Sequence, residues 1–447
     1  MYERNGYIGG RSTTVNVYDD PNQPVELGAS IFVEVNYNLV NATRNFNLST
    51  STPDEESTAD GPRLGIWNGN TFVYKQSGSN SYWDVAKLFW KYGLAPYKTL
   101  KLMKSTTARF FQMYDHPHFP FASLSETVYA LGLTAVTAAT GEQYLNENGI
   151  SAAFANDIIQ ASTRVNYAQN LSSIHGLETM VCMATEGAMS VEGGNWQIFS
   201  EMLKASGAHV YLTRAVSTVN RNSDNGKFVV HSPLRRDNVY QDSILEDLEF
   251  DEVVLAAPEQ FASIDFNTGS DLKIDDIPYV QLFVTLFTTR HSLSPAAFNM
   301  RPDEVVPRTV LTTLPQRNGE GAPDFFSISL LRSTVDTRFH SAPTEYLYKI
   351  FSHAPLTDAF LAKILGFDPE RDVNEENISW MYEKRWNSYP YEYPRITFEK
   401  IKLDDGLWYT SGIESFISTM ETSSLMGSNV AKLIVNEWVE KRSRMMA

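Results

Sequence analysis

Tyr2-Glu3-Arg4, followed closely by Gly9-Gly10-Arg11, brings an acid, two glycines and a fixed cation together. A carboxylate such as Glu3 accepts hydrogen bonds from sugar hydroxyls, glycines let backbone approach a pyrophosphate, and a guanidinium binds phosphate oxygens in pairs. That is the chemistry of gripping a nucleotide diphosphate; the ordinary alternative is an exposed loop carrying a charge. Next comes Glu26-Leu27-Gly28-Ala29-Ser30, whose small residues either let a planar ring lie against backbone or make a tight turn before a strand. Ser190-Val191-Glu192-Gly193-Gly194-Asn195 precedes a segment in which Trp196, Phe199, Met202 and Leu203 share a helical face. Near the other end, Ser411-Gly412-Ile413-Glu414 and Ser418-Thr419-Met420-Glu421-Thr422 follow the apolar run Leu407-Trp408-Tyr409. A strand entering a helix through glycine aims unpaired N–H groups and the helix dipole at an anion. Each patch is weakly specific alone, and their fixed order carries the weight.

These patches need elements to hold them. Aromatic and leucine spacing (Trp83, Leu88, Trp90, Leu94) predicts a helix over Ser81 to Leu102, and another covers Ser125 to Ala138. Val210, Leu212 and Val216 alternate along an expected strand from Ala208 to Val219, Phe228 to Val230 returns across a turn, and Val253 to Ala257 is a continuous apolar run. From Pro278 to Pro394, strand-like runs (Gln281 to Thr288, Phe325 to Leu331) mix with a helical segment, Leu356 to Leu365. The last helix carries Met420, Leu425, Val430, Leu433 and Trp438 on its apolar side. Ser49 to Pro62 is polar and acidic and reads as a loop. Trp83, Phe89, Trp90, Phe110, Phe111 and Phe119 are expected in the core, although a lipid-like substrate would need such a lining.

At 447 residues the chain has room for about two or three domains. A composition of 43% hydrophobic and 20% charged residues is that of a folded protein. A net charge of -16 with no basic stripe disfavours nucleic acid, which is held by clustered Lys and Arg. The single cysteine, Cys182, sits among apolar neighbours and reads as a buried, inert thiol. No apolar run reaches the roughly 18 residues that span a bilayer, so any membrane association expected here is peripheral. Sequons stand at Asn41, Asn47, Asn170 and Asn377, and no metal site is expected, since His116-Pro-His118 has no third ligand nearby.

In order and content these blocks resemble the glutathione-reductase-like flavoproteins of the amine oxidase type. Within them, Arg164-Val165-Asn166-Tyr167-Ala168-Gln169-Asn170, Ser173-Ile174-His175, Val191-Glu192-Gly193-Gly194-Asn195, Gly412-Ile413-Glu414 and Thr419-Met420-Glu421 are similar to the prenylcysteine oxidase (prenylcysteine lyase) family. The similarity extends from Glu3 to Trp438, with alanine at 168 where the family pattern has glycine.

The resemblance implies an α/β plus α+β chain: a split FAD-binding, Rossmann-like domain with an inserted substrate domain. FAD-binding segments would be 1–60, 186–260 and 401–447; a mainly helical substrate part, 61–185; and a mixed strand-and-helix part, 261–400. It further implies FAD as cofactor, with Glu3 on the ribose, Gly9, Gly10 and Arg11 at the pyrophosphate, Gly28 and Ala29 near the isoalloxazine and Val216 beside the adenine. Gly412 and Ile413 would lie near phosphate, and Thr419, Met420 and Glu421 under the flavin. Asn166, Tyr167, His175, Gly194 and Asn195 are candidates for the substrate side. For Asn166 and Tyr167 capping and packing remains the alternative, and for His175 a satisfied core position. No residue is singled out as a catalytic base.

The implied reaction oxidises the thioether of a prenylated cysteine with molecular oxygen and water, giving cysteine, a prenyl aldehyde and hydrogen peroxide, in a lysosomal or vacuolar compartment. The family pattern also has a first strand, a Gly-x-Gly-x-x-Gly turn and a helix ahead of Glu3. The expectation is a sequence that starts at an internal methionine, lacking that first βα unit, with a real truncated product as the alternative. The rival readings are another flavin oxidase of the amine oxidase type and a non-catalytic prenyl-binding remnant.

Overall fold

The computed structural model describes residues 1–52, 62–76, 81–236, 239–241, 248–269, 273–315, 322–368 and 377–446. The middle of the loop expected over Ser49 to Pro62, residues 53–61, lies outside the described residues.

Strand Tyr279–Thr289 is rich in β-branched and aromatic residues and is buried along almost its whole length, so it reads as a continuous apolar run. It lies within a seven-stranded mixed sheet ordered Trp380–Pro390, Tyr279–Thr289, Thr344–Ser352, Phe325–Val335, Thr309–Thr312, Leu64–Trp67, Phe72–Lys75. One face packs on helix Asp358–Leu365 through Phe287, Ile350, Leu361 and Ile364. The other packs on the hairpin Thr13–Asn16 and Pro24–Gly28, whose Val17, Tyr18, Val25 and Leu27 bury against Leu282, Val284 and Leu347. This hairpin therefore delivers Gly28-Ala29-Ser30 to a face of the sheet, beside Trp386 and Lys349.

Helices between residues 81 and 182 wrap around the start of the long helix Met420–Met446, burying Met113, Phe121, Leu124 and Leu177 with Leu425, Met426 and Val430. They are shorter than their apolar spacing predicts. Gly93, at φ 60°, separates Ser81–Tyr92 from Ala95–Phe111, and Gly132, at φ 65°, follows Leu124–Ala130. Phe110 joins the core as expected, but Trp90 is 91% exposed and Phe89 is also exposed, because their helix turns Asp84, Leu88 and Tyr92 inward instead.

The strand expected over Ala208 to Val219 is mostly absent. Only Thr218–Arg221 forms a strand, pairing with Phe228–His231 and Asp265–Asn267, while Thr213 at φ 54° breaks the run before it. Tyr211 keeps one parallel bridge, to Tyr2. Val253–Leu255 runs parallel to Leu407–Tyr409. Among the sequons, Asn41 and Asn47 are exposed, whereas the Asn170 side chain accepts from Gln160 and Arg164 and is tied into the structure.

Candidate cofactor and substrate cavity

Arg11 and Ser12 leave a turn in which Gly9 and Gly10 have φ of 115° and 60°. A Cβ on Gly9 would lie 2.2 Å from the Ser12 carbonyl oxygen and 2.9 Å from Trp196 Cβ, so no larger residue fits. The Arg11 guanidinium donates to Ser388 O and to Glu414 Oε2, each at 2.6 Å, and the Tyr279 hydroxyl donates to the same carboxylate at 3.2 Å.

Arg11 and Ser12 open onto a cavity of about 440 Å³. That falls within the ~300–1,000 Å³ of an ordinary small-ligand site. Four stretches of the chain hold the candidate residues on its walls. The hairpin end gives Gly28, Ala29 and Ser30; the end of helix Gln160–Tyr167 gives Asn166 and Tyr167; strand Trp380–Pro390 gives Trp386, Ser388 and Tyr389; the start of the last helix gives Thr419, Met420 and Glu421. A Cβ on Gly28 would stand 2.8 Å from Trp386 Cζ2, so the indole lies directly over bare backbone.

The lining has two characters. Around Arg11, the buried Ser12 Oγ, Trp386 Nε1 and Ser388 Oγ have no hydrogen-bond partner in the protein, which marks a place where a polar ligand would complete them. Elsewhere the wall is Phe32, Leu39, Phe199 and Met420, which share one apolar cluster. At the start of the last helix, Thr419 Oγ1 accepts from Thr422 N at 3.1 Å, while the Met420 and Glu421 amides stand in the first turn, where no intrahelical acceptor exists.

Glu421 points elsewhere than the resemblance implies. Its carboxylate accepts from Asn38 N and Leu39 N at 3.0 and 3.1 Å, capping helix Tyr37–Asn45, and from the Tyr114 hydroxyl at 2.7 Å. Gly412 and Ile413 are also off the cavity wall. They lie in a buried 3-10 turn, Ser411–Ser415, which intervenes before the helix, and a Cβ on Gly412 would meet Glu399 at 2.9 Å.

Glu3 and Val216 form a separate locality. The Glu3 amide donates to Tyr211 O and its carbonyl accepts from Arg214 N, while Tyr2 and Val216 pack against the small core of Val219 and Phe228. Neither residue lines the described cavity.

Three of the substrate-side candidates also sit behind the wall. Asn195 is fully buried: its amide donates to Glu26 Oε1, its Nδ2 donates to Ala29 O at 2.8 Å, and its Oδ1 accepts from Val191 N at 2.8 Å. Gly194, at φ 120° against Thr14 and Trp196, shapes that turn. The pair is thus a brace for Glu26 to Ala29. Lys349, unmarked by any motif, completes it by donating to Glu26 O at 2.7 Å and Ser30 Oγ at 3.0 Å. A lysine in the otherwise apolar run Tyr346 to Phe351 was the available signal. Burial pushes the Glu26 carboxyl up to about 7, against the hydrogen bond from Asn195 and the charge of Lys349. Burial likewise lowers Lys349 to about 8, opposed by Glu26.

His175 is wholly buried with Glu178 and Glu392, their polar atoms within 4.8 Å of one another. His175 Nδ1 accepts from Glu178 N at 3.1 Å, which puts the neutral ring's proton on Nε2, facing Glu392 Oε2 at 3.5 Å. A protonated nitrogen offers no lone pair, so the trio is not a ready metal ligand set. Burial, then Arg395, lowers His175 to about 3, and burial raises Glu178 to about 8. Cys182 is buried on the cavity wall, and burial lifts its thiol well above the usual range. Ala168 ends its helix at φ 54° and ψ 31°, the left-handed region that glycine adopts freely.

A profile of the prenylcysteine lyase family matches residues 75–446. A farnesylcysteine lyase of Arabidopsis thaliana is 29% identical, over 99% of this chain and 83% of its own length. Prenylcysteine oxidase 1 of Homo sapiens is 28% identical, over 98% of this chain and 83% of its own. Among solved structures, a wild-type putrescine oxidase bound to putrescine superposes with a TM-score of 0.56 at 13% identity, covering 97% of this chain and 93% of that one. Cyclohexylamine oxidase from Brevibacterium oxydans gives 0.54 at 14% identity, with the same coverage. The chain therefore has the mixed α/β fold of the FAD-dependent amine oxidases.

Proposed function

The chain belongs to the prenylcysteine lyase family, and we propose that it is a FAD-dependent thioether oxidase. It cleaves S-prenyl-L-cysteine, farnesyl or geranylgeranyl, with oxygen and water to cysteine, a prenyl aldehyde and hydrogen peroxide. The observation that carries this is one cavity with two linings: unsatisfied polar atoms around Arg11, and an apolar wall of Phe32, Leu39, Phe199 and Met420. The first suits a dinucleotide and the second an isoprenoid chain.

Arg11, Ser12, Gly28, Ala29 and the amides of Met420 and Glu421 are the groups that would hold FAD, which when bound supplies the hydride acceptor. The chain's own part is positioning and exclusion of water. Glu421 on the cavity wall is committed to helix Tyr37–Asn45 and Glu414 to Arg11, so neither is offered as a base. The parallel pairings Tyr2 with Tyr211, and Val253–Leu255 with Leu407–Tyr409, support a split dinucleotide-binding sheet around an inserted substrate domain. A lysosomal or vacuolar location belongs to the same reading, with the exposed acceptors Asn41 and Asn47 as its support; immunolocalisation and an endoglycosidase mobility shift test it.

The deciding assay is peroxide release from farnesylcysteine by the flavin-loaded protein, set beside putrescine and a simple cyclic amine. Turnover of amines with silence on farnesylcysteine would overturn the assignment in favour of the amine oxidase reading.

A further inference from the structure

Helices Ser81–Tyr92 and Ala95–Phe111 form a bent hairpin at the surface. Trp90 is 91% exposed, Leu94 64%, Tyr97 57% and Leu100 45%, with Val85 and Phe89 exposed beside them. Bulky side chains this bare, all within residues 85–100, are denser than the scattered exposures that need no explanation. Lys87, Lys91, Lys98, Lys101 and Lys104 are exposed on the same hairpin, while its only acid, Asp84, is buried. In a chain of net charge -16 this is a local reversal of sign. Lys87 and Lys91 are paired with Asp84 and Asp157, and Lys98 donates to Gly149 O; Lys101 and Lys104 extend the basic face along the second helix.

Trp and Tyr with flanking lysines are the composition of segments that lie in a lipid headgroup layer. A second copy of the chain fits poorly, because a two-fold contact would set Lys98, Lys101 and Lys104 against their own copies. Among the described residues no helix is long and apolar enough to cross a membrane, so the contact is interfacial. The far end of the same hairpin reaches the cavity wall: Phe111 and Tyr114 each pack on Tyr37 at 5.6 Å between ring centroids, and its neighbours Asn36 and Leu39 line the cavity.

We propose that this hairpin docks the protein on an anionic lipid surface, with Trp90, Leu94 and Tyr97 entering the headgroup layer and Lys98, Lys101 and Lys104 facing lipid phosphates. The docking does not depend on the substrate assignment, since it is read without turnover. Co-sedimentation of the flavin-loaded protein is measured with phosphatidylcholine vesicles and with equimolar phosphatidylcholine and phosphatidylserine. Binding is expected to favour the anionic vesicles and to weaken with salt. Trp90→Glu with Leu94→Glu should abolish it, and Lys98→Glu with Lys101→Glu and Lys104→Glu should lower the partition coefficient roughly tenfold or more. Far-UV circular dichroism and melting temperature check that these exposed changes leave the fold intact. The proposal is overturned by absence of binding to the anionic vesicles, by binding that both variants retain, or by a lipid-free dimer that Trp90→Glu dissociates. It is equally overturned if the patch proves to be covered by a stoichiometric protein partner.

Discussion

Arg11 Nη2 lies 2.6 Å from Glu414 Oε2, tying together residues 403 positions apart. Glu414 is nearly buried, with 7% of its side chain exposed, while Arg11 is 37% exposed, so solvent screens part of the attraction. Glu414→Gln should therefore destabilise the fold by ~1–3 kcal/mol, mostly by leaving the guanidinium under-compensated. A thermal melt with and without added FAD measures it; an unchanged midpoint would show that the pair is dispensable.

Gly28→Ala places a methyl 2.8 Å from the Trp386 ring, whereas Gly10→Ala meets nothing within 4 Å and strains only the backbone. The first should cost ~1–3 kcal/mol and reduce flavin content, and the second about 1 kcal/mol with flavin retained. Flavin absorbance per protein distinguishes them. Equal loss in both would mean that the indole does not sit over Gly28 as described.

Glu26 titrates near 7 in the folded protein because it is buried. An acid whose folded pKa is raised binds more protons folded than unfolded between its usual value of 4.5 and about 7. Its contribution is thus fully present below this window and is lost as pH rises through it. Glu26→Gln keeps an acceptor for the Asn195 amide without the charge. The variant should match the wild type at pH 5 and exceed it at pH 8 by on the order of 1–3 kcal/mol. Parallel melting curves at the two pH values test the sign, and a constant difference would refute it.

Asn195→Ala removes the bonds to Ala29 O and Val191 N and leaves both groups unpaired. The expected loss is ~2–4 kcal/mol, with weaker retention of flavin, while Glu192→Ala, an exposed neighbour, should stay within ~0.5 kcal/mol. Denaturant titration and flavin release decide between a brace and an ordinary loop.

Much of this site is written locally and the rest is not. Gly9-Gly10-Arg11, Gly28-Ala29 and Thr419-Met420 were legible because close backbone approach demands small residues and helix starts demand caps, and both demands leave marks within a few residues. Asn195 was visible as part of a motif, but its task was not, since a side chain bracing Ala29 from 166 residues away leaves no local trace. Lys349 and Trp386 were missed for the same reason: their partners lie on other elements. Glu3 and Val216 were found together, yet away from the described cavity, because sequence order does not fix distance. Helix existence was readable from apolar spacing, whereas the breaks at Gly93 and Gly132 came from backbone geometry that the spacing hides. Trp90 shows the limit of reading aromatics as core.

Glu421 caps helix Tyr37–Asn45 from 383 positions along the chain, and Glu414 reaches Arg11 over a comparable span. The two sides of this cavity joined by Asn38 and Glu421 are therefore synthesised 383 positions apart. The early helix must wait with bare amides until synthesis supplies its acid, so the ligand chamber stays unbuilt while the intervening residues are made. The chamber is completed only once Glu421 has been made, and agents that shield the waiting segment around Tyr37–Asn45 should raise the yield of active protein more than those acting on the sheet.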